Sequence, residues 1–129
     1  MAVGTQESKG ESVAHVPLDA RWYLADLVIQ MDIEGDDYPL VHINTVLVNA
    51  TDPEDAFTKA IELGKSEEMT YENTDHRQVR VRFRGLRELL VIYDELEHGA
   101  EMMFEERAGL GESEISALTT KKSDLSVFS

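Results

Sequence analysis

Five guanidinium groups crowd into the segment Arg77-Gln78-Val79-Arg80-Val81-Arg82-Phe83-Arg84-Gly85-Leu86-Arg87, with no acid between them. Guanidinium forks pair with carboxylates or phosphates in two-point contacts, so this residue type points to recognition of an anion or an acidic protein. In an extended chain, Arg80, Arg82 and Arg84 line one face and Val79, Val81 and Phe83 the other, because strand side chains alternate. Arg80, Arg82, Arg84 and Arg87, with Trp22 as an aromatic anchor, therefore form the candidate interaction surface. Two alternatives compete for the arginines: cross-strand pairing with this chain's own acids, such as Glu101 and Glu105, and pairing with acids of a second subunit. A lone Trp also commonly caps a core.

Other chemistry-bearing residues fall short of a site. Gly64-Lys65-Ser66 ends like a phosphate-binding loop, but Lys59 stands where the earlier glycine belongs, and the triplet closes a helix where the chemistry needs it to open one. Asp32, Glu34, Asp36 and Asp37 gather carboxylates suited to a hard cation. Counted from Asp32, however, a calcium loop needs Gly where Asp37 stands and a bidentate Glu where Ile43 stands. A solvated acidic turn is the simpler account. His15, His42, His76 and His98 show no ligand spacing, and no nucleophile accompanies His42. With no cysteine, thiolate metal sites, disulfides and Cys nucleophiles are excluded. Catalytic, cofactor and metal residues are accordingly predicted as none.

The balance of 12 basic against 26 acidic residues gives a net charge of −14, which repels phosphate backbones and anionic lipids. Setting aside the five clustered arginines leaves −19 elsewhere, so charge is strongly polarised along the chain. Nucleic acid and membrane are not expected partners. No export-type apolar run opens the sequence and none is long enough to span a bilayer, which predicts a cytoplasmic protein.

The elements that must carry these residues follow from periodicity. Tyr23, Ala25, Leu27, Ile29, Met31 and Ile33 occupy every second position, which is strand spacing. A turn over Glu34-Gly35-Asp36-Asp37-Tyr38-Pro39 leads into a β-branched run from Val41 to Val48, completing a hairpin. Thr51-Asp52-Pro53-Glu54-Asp55 reads as a helix start. Ala56, Phe57, Ala60, Ile61 and Leu63 give the helix its apolar face, and Gly64 its exit. Glu67 to Asn73 reads as a short strand, Asn73 to His76 as a turn, and Val79 to Phe83 as a strand. Gly85 marks a bulge or bend, and the inward set beyond it is either Leu86, Leu90 and Ile92 or Leu89, Val91 and Tyr93. Ala100, Met102 and Phe104 predict a last strand.

The fold class is therefore α+β: a mainly antiparallel, twisted sheet of about five or six strands with one helix on one face, in the order ββα then three or four strands. Residues 1–20 are expected to form a flexible arm, 21–107 one domain, and 108–129 a disordered tail. A core this small gains from a second subunit, so a homodimer is expected.

Trp22-Tyr23 opening a strand, Asp52-Pro53-Glu54-Asp55-Ala56 starting a helix that ends near Gly64-Lys65, then Tyr71-Glu72-Asn73, Gly85 and Glu97-His98-Gly99-Ala100-Glu101 follow one another in an order that resembles the bacterial family of domains of unknown function numbered 4288. The resemblance covers about Arg21 to Arg107, with His98 departing from an Asp-Gly turn. It implies a compact stand-alone bacterial domain and brings no catalytic residues, because no activity is assigned to the family. From the residues, the expected role is a non-catalytic binding or protein-interaction module. An acidic inhibitor or immunity-type protein facing a basic partner is the alternative, and a small enzyme using His42 or His98 with carboxylates a second one.

Overall fold

A computed structural model describes residues 21–128. The predicted arm at 1–20 lies outside them. Four strands, β1 (Trp22–Ile33), β2 (Leu40–Asn49), β3 (Met69–Glu72) and β4 (Gln78–Val91), form one antiparallel sheet in the order β2-β1-β4-β3. Helix α1 (Pro53–Ser66) connects the two hairpins and covers one face. The α+β class and the ββα start hold, but the described residues form four strands where five or six were expected.

Two features account for the difference. Gly85, at φ +136°, lies at a bulge as expected, and β4 runs through it as one continuous strand. The predicted strand at Ala100–Phe104 is irregular chain, tied down by the amide of Glu101 donating to Asp94 (3.1 Å) and that of Ala100 to the Glu97 carbonyl (2.9 Å). Met103 interrupts the polar alternation there, so no clean outer face exists to stabilise a strand.

The alternating set of β1 is buried as its period demands: Tyr23, Ala25, Leu27 and Ile29 join Val48, Ala50, Ala56 and Ala60 in the core. Val81, Phe83, Leu86, Leu89 and Val91 pack around this cluster, so neither set expected beyond Gly85 holds throughout: Leu86 of one and Leu89 and Val91 of the other face inward, because a register shift at Arg87 changes the phase between them. The helix begins as its residues dictate. Asp52 caps the Asp55 amide at 2.8 Å, Pro53 takes the first turn, and the Asp55 carboxylate accepts from the Thr51 amide at 3.0 Å.

Its inner face departs from expectation. Ala56, Ala60 and Gly64, four residues apart, are the buried positions, whereas Phe57 and Leu63 are exposed. The helix runs past Gly64 to Ser66, and Gly64 has no positive φ. A Cβ there would collide with the Phe83 ring of β4, so glycine is required by close helix–sheet approach and not as a helix exit. Small residues along one line let α1 sit low on the sheet, and Ala25 beneath it is fully buried. Beyond Arg107 lie the short helix α2 (Glu112–Ser116) and two 3-10 turns, none with a buried residue.

Candidate functional site

The sheet face opposite α1 carries the even positions of β1: Trp22, Leu24, Asp26, Val28, Gln30 and Asp32. β2 adds Val41, Ile43, Thr45 and Leu47 to this face, and β4 adds Arg80, Arg82, Glu88 and Leu90. Register shifts leave Arg84 and Arg87 as the extra residues of two bulges, one between the pairs Ile29–Phe83 and Val28–Gly85, the other between Leu27–Leu86 and Asp26–Glu88. A bulge re-aims its extra side chain. Here both extra arginines reach acceptors on β1, so all four predicted arginines share one face although strict alternation would send Arg87 to the other.

Their partners are not those expected. Arg82 Nε donates to Asp32 (2.8 Å), Arg84 to the Gln30 side-chain oxygen, and Arg87 to Asp26 through Nη2 (2.9 Å) and Nε (3.2 Å). The cross-strand alternative is thus realised with acids of β1, while Glu105 binds its neighbour Arg107. Arg80 lies opposite Asp32 in the register and makes no ion pair among the described residues. Arg77, at the start of the run, clamps the β1–β2 turn by donating to the Glu34 carbonyl (3.0 Å) and the Asp36 carboxylate (2.7 Å). Asp32, Glu34 and Asp36 are therefore engaged within the fold, Glu34 also accepting from the Gln78 amide at 3.0 Å. Trp22 stands at the end of the open face, 36% exposed.

Asp26 is the hub that sequence reading passed over as one polar alternate of β1. Thr45 donates to it from β2 at 2.6 Å and Arg87 from β4, so one carboxylate bridges three strands. Its side chain is only 16% exposed. The Thr45 hydroxyl and then the Arg87 guanidinium hold its carboxyl below the usual range, outweighing the opposing effect of burial. Around it lies a depression of about 390 Å³ floored by Leu24 and Leu90, edged by Thr45, Arg87 and Glu88, and walled by Met103 and Phe104. Phe104, 70% exposed, comes from the irregular segment expected to be a strand. The signal for Asp26 was an acid flanked by apolar residues inside a strand, a position where an unpaired charge would be costly.

His42 and His98 are exposed, and neither lines this depression. His76, at φ +61° in the β3–β4 turn, holds Glu72 at 2.8 Å. Among the described residues no cluster of three or more metal-ligating side chains occurs, and no helix is long and apolar enough to cross a membrane.

Comparison with known proteins places residues 22–104 within the profile of a family described as Domain of unknown function (DUF4288). No curated protein and no solved structure matches.

Proposed function

This chain belongs to the DUF4288 family, and we propose that it is a non-catalytic binding module whose working surface is the sheet face opposite α1. The observation that carries this reading is the depression at Asp26: apolar surface from Leu24, Leu90, Met103 and Phe104 surrounds an Asp26–Arg87 ion pair braced by Thr45, with Glu88 at the edge. A concave apolar surface with a few fixed polar groups suits recognition. An ion-paired carboxylate held below its usual pKa is a poor general base at neutral pH, which supports binding over proton chemistry. The occupant proposed is another protein, with Phe104 and Trp22 as exposed aromatic anchors.

Internal pairing of Arg77, Arg82 and Arg87 favours a basic partner over an acidic one, because it leaves the excess of a chain carrying −14 on the acidic side. This keeps the inhibitor-type role as the second reading. The test is affinity capture with the wild-type chain and with Phe104→Ser and Leu90→Asp variants of verified fold. A partner retained by wild type and lost at least tenfold by both variants supports the face. Identical captured sets from all three chains reject it.

A further inference from the structure

We propose that the outer edge of β2 pairs antiparallel with β2 of a second copy, joining two sheets into one of eight strands about a twofold axis at Asn44. The inference stands apart from the face-binding role, since it uses backbone at the sheet edge and not the depression.

Hydrogen-bond direction comes first. The Ala50 amide donates to the Arg21 carbonyl at 2.9 Å, and Ile92 to Trp22 at 2.9 Å, so β1 turns its odd residues toward β2 and its even ones toward β4. On β2 the even residues, Leu40 to Val48, bond β1, and Val41, Ile43, Thr45 and Leu47 direct their N–H and C=O groups outward. Among the described residues nothing bonds those groups. Only Asn49 at the end of this edge is engaged, its carbonyl accepting from Lys59 at 2.9 Å.

Long free edges are normally protected by charge, shortness or proline. The opposite edge, β3, has four residues and is preceded by Glu67 and Glu68. β2 has ten residues and no Lys, Arg, Asp or Glu; charge is absent from Tyr38 to Thr51 in a chain that is 29% charged. Leu40, Val41, Ile43 and Leu47 along it are 42 to 54% exposed. Two chains of −14 repel each other, and a stretch without charge meets least of that repulsion, which makes it suited to a second copy.

Register follows from parity and from what is already bonded. Outward groups must face outward groups, so odd residues pair with odd. An axis at Asn44 sets Val41 against Leu47 of the second copy and Ile43 against Thr45, leaving Asn49 to Lys59. On the helix side the same register sets Leu40 of the second copy against Val48. A notch of about 290 Å³ lies there, lined by Leu47, Val48, Lys59 and Leu63, and the exposed Leu40 side chain fits its apolar character.

The cysteine-free chain makes the test direct. Sedimentation of the full chain from about 1 to 200 µM should show the 14.5 kDa species giving way to one of twice that mass. The shift should strengthen from low to high salt as repulsion is screened. Asn44→Cys should form an intermolecular disulfide on mild oxidation, because facing non-bonded residues sit about 4.5 Å apart between Cα atoms. His42→Cys, four positions out of register with itself, should not. Ile43→Lys, with an unchanged circular dichroism spectrum, should raise the dimer dissociation constant at least tenfold. A monomer throughout, equal crosslinking by both cysteines, or an undiminished dimer in Ile43→Lys would overturn the proposal.

Discussion

Replacing Gly64 by alanine sets two effects against each other. A glycine inside a helix costs about 0.5–1 kcal/mol relative to alanine, so on an isolated helix the change would stabilise. In this fold the new methyl would stand 2.5 Å from Cζ of Phe83 and closer still to Cδ1 and Cε1. Carbon atoms rest at about 3.5–4.0 Å, so α1 and the ring must separate by about 1 Å or more. Three ring atoms lie in the way, and Ala56 and Ala60 hold the same helix face against the sheet, so rotation of the ring alone does not clear the space. Overpacking of this kind costs about 1–3 kcal/mol, which exceeds the propensity gain. The net expectation for Gly64→Ala is a loss of about 1–2 kcal/mol, read as a lower urea midpoint at unchanged slope. Phe83→Leu combined with Gly64→Ala should recover at least about 0.5 kcal/mol relative to the sum of the single changes. A Gly64→Ala variant as stable as wild type, or more so, would refute the close-approach account and restore Gly64 as an ordinary helix-end glycine.

The remaining predictions concern buried or bridging polar groups. Tyr23 is 2% exposed and its hydroxyl has no hydrogen-bond partner among the described residues, so Tyr23→Phe should leave stability unchanged or raise it by up to about 1 kcal/mol; a loss larger than that in urea denaturation would mean the hydroxyl is bonded. Asp26→Ala removes the bridge between β1, β2 and β4 and should cost about 1–2 kcal/mol, whereas a cost below about 0.3 kcal/mol would deny the hub its role. The carboxyls of Asp26, Asp32 and Asp55 are all held low in the folded chain, by Thr45 and Arg87, by Gln30 and Arg82, and by Thr51 and Lys59 respectively. Groups with depressed folded pKa values contribute stability that is complete above the unfolded value of about 3.9 and disappears as pH falls through the folded values. Thermal midpoints should accordingly be flat from pH 7 to 5 and drop below 4, with a shallower drop in Asp26→Asn.

Much of the fold was legible because its signals are local. β1 announces itself by six apolar residues at period two, the helix by Asp52 and Pro53 at its start, and the β3–β4 hairpin by the Asn73 turn, whose side chain accepts from the amides of Asp75 (2.9 Å) and Arg77 (3.0 Å). What escaped depends on neighbours remote in sequence. Phe57 and Leu63 look like core residues by spacing, yet the face that meets the sheet is set by Phe83, which only Gly64 can accommodate. Arg87 joined the candidate surface only through its place in the arginine run, and period two alone would turn it away; a second bulge unmarked by glycine delivers it to Asp26, 61 residues away. Ala100 and Phe104 share strand spacing with any short alternating stretch; their actual use, with Phe104 walling the depression, required knowing that β1 exposes its even face. The clustering of the arginines was therefore legible and the acid that ties them to the sheet was not, because the arginine run is contiguous whereas Asp26 acquires meaning from Thr45 and Arg87 on other strands.

β1 lies inside the sheet although it is the first of the described strands. Its β4 partners follow 46 residues later for Ile33 and 68 later for Tyr23. During synthesis at about 5–20 residues per second, a nascent β1 waits roughly 2–14 s before the strand that flanks it leaves the ribosome. Throughout that interval one whole flank of a twelve-residue hydrophobic strand stays open to whatever else is emerging nearby. A translational stall shortly after α1 would therefore strand a sticky half-sheet, and slow codons there should raise the insoluble fraction more than the same codons placed after Val91.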